Sequence, residues 1–264
     1  MTDPLFLGEI AGAQVGSRVG LTGDEGRHAA VVKRIRVGES VLVADGHGAA
    51  VRGLVTEVGK HGLTLEVSEL FAPHEAPLRY RAVQALAKGD RSELAIELLT
   101  EIGCDEIVAW QSHRSIVRWD AKVDKGLAKW AATAREATKQ SRRFAVPRVA
   151  AEVMSTKQLA AALAAEPSDE QADEELVLVL HEDATEHISS ITLPSSGRVT
   201  VIVGPEGGIA LEELEMLTQA RARPVVISDG VLRASTAAAV AIAQLKVLAA
   251  RGETTTAGCT GGDA

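Results

Sequence analysis

The sequence predicts a two-part chain: a small β-rich domain over residues 1–72, then an α/β domain with a mostly parallel sheet over residues 73–252. Three observations predict it. Short β-branched runs separated by glycine turns crowd the start of the chain. A proline-bearing link, residues 71–77, interrupts that pattern. Beyond the link, apolar strand-like runs alternate with helical stretches, as strand–helix–strand units do.

In the first part, residues 41–44, 50–58 and 63–70 read as strands. Asp45-Gly46-His47-Gly48 and Gly59-Lys60-His61-Gly62 are the turns between them. A helix over residues 24–33, with Asp24 as candidate N-cap, precedes them. Several short strands with glycine turns suggest a small barrel. The second part opens with a strand at 80–86 and a helix at 90–102 that carries Leu94, Ile96, Leu98, Leu99 and Ile102 and stops at Gly103. A strand at 106–110, a long helix at 121–141 and a shorter one at 156–165 follow. Residues 166–175 read as an acidic exposed loop. Buried strands at 176–180 and 199–203, a helix at 211–220, a strand at 224–227 and a closing helix at 235–250 complete the pattern. Residues 253–264 predict a disordered tail.

Hydrophobic residues make up 46% of the 264 and aromatics only 3%, so the core must be built from Ala, Val, Leu and Ile. No apolar run approaches the roughly 18 residues that span a bilayer. Residues 1–10 lack the basic start and apolar stretch of a secretory signal. With two cysteines, Cys104 and Cys259, no disulfide framework is expected, and a reducing cytoplasm is the expected compartment. The net charge of −8 argues at first against a nucleic-acid partner. Its distribution argues otherwise: residues 1–72 carry net −2, residues 73–148 net +4 and residues 149–264 net −10. Salt screens charges beyond about 8 Å, so a polyanion feels the local field. A basic middle fits RNA binding and equally fits a solvated helix face; charge alone does not separate the two.

Two segments carry the chemistry. Val199-Thr200-Val201-Ile202-Val203 runs straight into Gly204-Pro205-Glu206-Gly207-Gly208. Open α/β sheets bind ligands at the carboxyl ends of their strands, and glycines there let backbone amides approach closely. The run is neither a P-loop nor a G-x-G-x-x-G fingerprint. By itself it reads as a ligand loop or as an ordinary tight turn. The second segment, Val225 to Ala237, again ends a strand in a glycine-bearing loop that feeds an Ala-rich helix. Ser235 or Thr236 is available to cap that helix. Arg233 stands at the junction, either facing the functional edge or making a capping salt bridge. The seven histidines show no metal-ligand spacing; His181-Glu182-Asp183 with His187 reads as an acidic loop, so no metal is expected. Ser141 and Ser235 lack a G-x-S-x-G context, which excludes that hydrolase signature.

Taken in order, residues 28–36, 41–46, 84–90 and 100–103, Arg114-Ser115, Glu136-Ala137, Gln140-Ser141-Arg142, Gly204-Pro205-Glu206-Gly207-Gly208 and Leu232-Arg233 resemble the RsmE family of ribosomal RNA methyltransferases, within the SPOUT superfamily. The resemblance covers most of residues 20–250. It implies an N-terminal PUA-like barrel that helps hold RNA and a C-terminal SPOUT domain with a trefoil knot. It also implies a homodimer with active sites drawn from both subunits, acting on 16S ribosomal RNA at a uridine N3. The implied cofactor is S-adenosyl-L-methionine, held largely by backbone groups. Its loops map onto Leu180, His181 and Glu182; onto Val203, Gly204, Pro205, Glu206, Gly207 and Gly208; and onto Ile227, Ser228, Gly230, Leu232, Arg233 and Ala234. The family run Gly-x-Arg-Ile-Leu-Arg-Thr-Glu-Thr-Ala loses its first Arg and its Glu here, with Ser235 in the Glu position.

Methyl transfer to uracil N3 needs alignment with the methyl donor, loss of the N3 proton, and a cation or donor for the charge that spreads onto the flanking carbonyl oxygens. Arg233 is the candidate for that catalytic, electrostatic role; Glu136 and Asp90 are candidate bases, each also readable as structural. Candidate RNA contacts are Arg34 and Arg36 in the first part, and Lys88, Arg91, Arg114, Arg135, Lys139, Arg142 and Arg143 in the second. Trp110, Trp119, Trp130 and Phe144 read as core rather than as base-stacking platforms. The alternatives are a non-catalytic RNA-binding or ribosome-assembly factor, and a knotted methyltransferase acting on transfer RNA.

Overall fold

The structure, a computed structural model, describes residues 3–165 and 174–257, with side chains as far as residue 251. The chain forms two units. Met1–Glu75 joins Ala134–Val146 in one, and Ala76–Thr133 joins Pro147–Ala264 in the other.

The first unit is a five-stranded sheet in the order β1-β3-β4-β5-β2. Its strands are β1 (Leu5–Leu7), β2 (Arg18–Leu21), β3 (Ser40–Ala44), β4 (Ala50–Gly59) and β5 (Gly62–Phe71). Alternating Val and Leu bury one face around Phe6, Val41, Val43, Val51 and Leu65. Register shifts after Arg52 and Val55 bend β4 against β5. On the other face Leu5, Leu7, Leu42 and Ala50 meet Phe71, Phe144 and Val146. That second layer is why residues 134–146 group with this unit, although the sequence pattern ended the domain at residue 72. The strands β1 and β2, three and four residues long, were too short to show a period.

The helix expected over residues 24–33 is split. It begins as α1 (Gly23–Arg27) and continues as a π-helical turn, His28–Val32. Thr22, not Asp24, occupies the N-cap position, and its side chain makes no cap hydrogen bond. The carbonyl of Leu21 presses against two glycines. A β-carbon on Gly62, whose φ is +153°, would lie 2.0 Å from that oxygen.

The second unit is a six-stranded parallel sheet in the order β11-β9-β10-β6-β7-β8. Its strands are β6 (Leu78–Ala85), β7 (Glu106–Gln111), β8 (Arg148–Ser155), β9 (Glu175–Leu180), β10 (Gly197–Val203) and β11 (Arg223–Val225). Near-continuous apolar runs in β9 and β10 are buried on both faces. Helix α2 (Arg91–Ile102) packs with α6 (Ala234–Ala257), and α4 (Thr156–Ala164) with α5 (Leu211–Gln219). The long helix α3 (Val123–Ser141) follows a 3-10 turn at Asp120–Lys122. The edge strand β8 escaped the sequence pattern because its half-exposed Arg, Glu and Ala residues give no apolar period.

Glu175, assigned to the acidic loop by sequence, instead begins β9 and accepts hydrogen bonds from Arg81 (2.7 Å) and Thr200 (2.7 Å). Burial lowers the pKa of Arg81 while Glu175 raises it. The rest of that loop, 166–173, lies outside the described residues. Helix α6 runs to Ala257, five residues into the expected tail; residues 258–264, including Cys259, lie outside the described residues. Among the described residues no helix is long and apolar enough to cross a membrane.

Trp110 and Trp130 are buried, and each indole N–H donates to a hydroxyl, of Thr156 and Ser92 respectively. Trp119 packs edge-on to Trp130 and Phe144 packs on Phe71. All four aromatics are therefore packing groups, as the composition suggested.

Replacing Gly62 with Ala is expected to cost about 3 kcal/mol through overpacking and backbone strain, read as a lower denaturation midpoint. Burial pushes the Cys104 thiol up to about 12. The peptide carrying Cys104 should stay unalkylated by iodoacetamide at pH 8 while the fold holds, and react on unfolding. Because the unfolded thiol ionises first, this group makes stability fall as pH rises from about 9 towards 12.

Candidate functional site

The parallel register sends β9, β10 and β11 out at the same edge of the sheet. The loops that follow them converge on a cavity of about 710 Å³, within the roughly 300–1,000 Å³ range of small-molecule clefts. Residues 180–183, 203–209 and 225–234 line it, with Leu211, Ala237, Arg91 and Arg114. Every residue mapped to the cofactor loops by sequence is in this lining. So is Arg233, whose side chain is exposed and whose carbonyl accepts the amides of Thr236 (2.9 Å) and Ala237 (3.0 Å) at the start of α6. Neither Ser235 nor Thr236 caps that helix by its side chain. Ser235 is buried in the first turn, and the Thr236 hydroxyl donates back to the Arg233 carbonyl.

The glycine-rich loop is held from two sides. Arg114 donates to the Gly207 carbonyl (3.1 Å). Glu206 faces the Arg91 guanidinium (3.6 Å) and the backbone N–H of Lys88 (3.5 Å). Gly208 needs its φ of +72°, and a β-carbon on Gly204 would fall 2.6 Å from Ile209. The third loop is fixed by Gln244, whose amide donates to the Ile227 carbonyl (3.1 Å), and by Gln84, whose amide reaches the Ala234 carbonyl (3.3 Å). By contrast, a β-carbon on Gly230 would meet nothing within 4 Å.

Other candidates fall elsewhere. Asp90 occupies the N-cap position of α2 and Glu136 pairs with Lys139 (2.7 Å) in the other unit; neither is in the cavity lining. The carboxylates that do line it are Glu182, Asp183, Glu206 and Asp229. Among the RNA candidates, Arg91 and Arg114 line the cavity and Lys88 stands exposed beside Glu206. Arg34, Arg36, Arg135, Lys139, Arg142 and Arg143 belong to the first unit. Lys139 must be removed from the RNA set: its side chain is 8% exposed and its ammonium is taken by Glu25 (2.8 Å) and Glu136.

A buried network that sequence reasoning missed supports the site. The Trp110 indole donates to the Thr156 hydroxyl, which donates to Glu213. The same carboxylate accepts the His113 amide (2.8 Å), and its other oxygen faces the Ala210 amide (3.4 Å). Glu213 thus fastens the segment that carries Arg114 to the helix that follows the glycine loop. The signal available in sequence was a Glu three residues into α5, where a carboxylate reaches back to the first amides.

Two family models match the chain: an RNA methyltransferase domain over residues 74–246 and an RNA methyltransferase PUA domain over residues 21–68. A ribosomal RNA small subunit methyltransferase E of Mycobacterium tuberculosis is 45% identical over 238 residues, 90% of this chain and 89% of that protein. The chain belongs to the ribosomal RNA small subunit methyltransferase E family of RNA methyltransferases. The family member of Bacillus subtilis is 28% identical over 85% of this chain and 88% of its own. The crystal structure of the Neisseria gonorrhoeae member, bound to S-adenosyl methionine, superposes with a TM-score of 0.80 at 29% identity, covering 94% of this chain and 98% of that one. An α/β unit with a parallel sheet and a PUA unit, as the sequence predicted, is the architecture of this methyltransferase.

Removing the Glu213 carboxylate strands the Thr156 hydroxyl and the His113 amide. Glu213→Ala should cost about 2–3 kcal/mol, and Glu213→Gln, which keeps an acceptor, less than half of that, measured by urea unfolding.

Proposed function

We propose that this enzyme transfers a methyl group from S-adenosylmethionine to N3 of a uridine in 16S ribosomal RNA, in the cytoplasm and as a homodimer. The observation that carries the reading is the meeting of three strand-end loops around one cavity of the right size, two of them marked by their own residues and the third, residues 180–182, by the family resemblance. The residues present fit the cofactor. Backbone N–H and C=O groups of the three loops suit an adenine edge, and Leu180, Val203, Ile209 and Ile227 offer it an apolar wall. Glu182, Asp183 and Asp229 suit a ribose diol and an ammonium group. The trefoil path of these loops belongs to the same proposal.

The bound cofactor supplies an electrophilic methyl group. The protein's own residues do the rest. The clasped glycine loop holds its shape before any ligand arrives, so little ordering is left for the moment of reaction. Arg233, with its side chain free of carboxylates among the described residues, lies against the cavity and stabilises the negative charge that a uracil gains on its carbonyl oxygens as N3 loses its proton. The start of α6 adds the positive end of a helix at the same place.

The deciding experiment is mass mapping of nucleosides in small-subunit ribosomal RNA from cells with and without the gene. A uridine-derived methyl mark should vanish with the gene. A mark lost from transfer RNA instead, or no loss with RNA binding intact, would favour the alternatives. In vitro, Gly230→Phe should leave the melting temperature unchanged and weaken cofactor binding at least tenfold by calorimetry. Arg233→Ala should lower kcat about 100-fold with a smaller change in cofactor affinity.

A further inference from the structure

Two glutamines far apart in sequence hold opposite ends of one loop. Gln84 stands near the end of β6, paired with Val203 of β10 and Ala109 of β7, and is 1% exposed. Its amide reaches the carbonyls of Ala234 (3.3 Å) and Ala85 (3.3 Å). Gln244 belongs to α6, and its amide donates to the Ile227 carbonyl (3.1 Å). Ile227 and Ala234 bound the segment that brings Arg233 to the cavity, yet neither glutamine is in the cavity lining.

Both side chains carry an unmatched atom. The Oε1 of Gln84 and the Oε1 of Gln244 are buried and meet no donor among the described residues. A carbonyl can be met only by the NH2 end of an amide, so each contact turns the oxygen away from its loop. A buried acceptor without a donor is destabilising, and folds leave few of them. Methionine, of the same length, would fill either place with no unmatched oxygen. A polar group kept at such a place answers to something other than packing.

The loop between the two contacts is slack. Ala234 starts α6 and Gln244 lies ten residues along it, roughly 15 Å at 1.5 Å per residue. The chain from Ile227 to Ala234 can reach about 25 Å when extended. Its length therefore does not dictate its path. Packing does not dictate it either: a β-carbon on Gly230 would meet nothing within 4 Å, and Val231 is 78% exposed.

We propose that Gln84 and Gln244 are positioning residues for methyl transfer. Their amide donors set the path of residues 227–234 from its two ends. Gln244 holds the end at Ile227, which belongs to the apolar wall offered to the adenine. Gln84 holds the end at Ala234, which directly follows Arg233 and so aims that guanidinium at the base. This rests on the methyl-transfer reading of the cavity and names the side chains that shape it from behind.

The test uses Gln84→Met and Gln244→Met in the full chain, with Gln84→Glu and Gln244→Glu beside them. Cofactor affinity is read by calorimetry with S-adenosylmethionine, turnover by methyl transfer to small-subunit ribosomal RNA, and stability by melting. Both Met variants should melt within about 3 °C of the wild type or above it. Gln244→Met should weaken cofactor binding about three- to tenfold and raise the KM for cofactor alike, with kcat at saturating cofactor kept. Gln84→Met should lower kcat about tenfold with cofactor affinity kept. The Glu variants, which turn an acceptor towards each carbonyl, should show the same split with larger losses. Wild-type affinity and kcat in both Met variants would overturn the proposal. So would a larger fall in melting temperature, which would make the glutamines fold residues, and so would equal losses of affinity and kcat in both. If the wild type methylates the RNA and the variants match it, the positioning role falls and the function stands. If the wild type binds the cofactor but transfers no methyl group, the function itself falls, and calorimetry still reads the Gln244 contact.

Discussion

The second unit depends on parallel pairing between β10 and its neighbours. Val199 to Val203 pair with β6 on one side, and Val199 to Ile202 pair with β9 on the other, all in the same direction. β11 then pairs with β9 in that direction too. Parallel strands cannot be joined by hairpins, so each must return through a crossover, and every strand presents its carboxyl end at the same edge. Three loops with no common sequence therefore open side by side. An antiparallel β9 would place residues 180–183 at the far end of the sheet and leave the glycine loop with no opposite wall. The site is a consequence of ladder direction before it is a consequence of any side chain.

The loops at that edge are held unequally, and the difference matters chemically. The glycine loop has a guanidinium on a carbonyl and two donors near a carboxylate. The β11–α6 loop has its carbonyls tied down at Ile227 and Ala234, yet between them Val231 is 78% exposed. A cavity for a small molecule with both polar and apolar parts gains from this arrangement. Fixed amides give orientation, and an open segment gives access to a second, larger substrate.

Much of this was legible in sequence, for reasons that differ by element. Buried parallel strands are near-continuous runs of Val, Ile and Leu, so β9 and β10 stood out. Gly103 after an apolar helical period located the end of α2 within a residue. The loop at residues 204–208 was visible because glycine and proline directly after a buried strand are a backbone signal, independent of tertiary contacts; the loop at 180–182 carries no such signal and was mapped by the family resemblance. What stayed hidden was whatever depends on distant partners. Nothing local marks β8 as a strand; its pairing with β7 makes it one. Lys139 read as one more candidate RNA contact, and its ammonium is taken by the neighbouring Glu136 and by Glu25, 114 positions away. Glu213 drew no reading from the sequence. Its burial comes from Thr156 and the His113 amide, which no window of sequence could bring to it.

The same distinction resolves the charge paradox of an acidic RNA methyltransferase. Net charge counts every ionised group, but a groove or patch acts through those that are not already neutralised nearby. In the first unit Arg18, Arg27, Arg52 and Lys139 each face a carboxylate within 4 Å, so their fields are largely internal. Lys33, Arg34, Arg36, Arg142 and Arg143 are not offset in this way among the described residues, and they sit in two short stretches of chain. Over a screening length of about 8 Å, such stretches are basic whatever the total of the molecule.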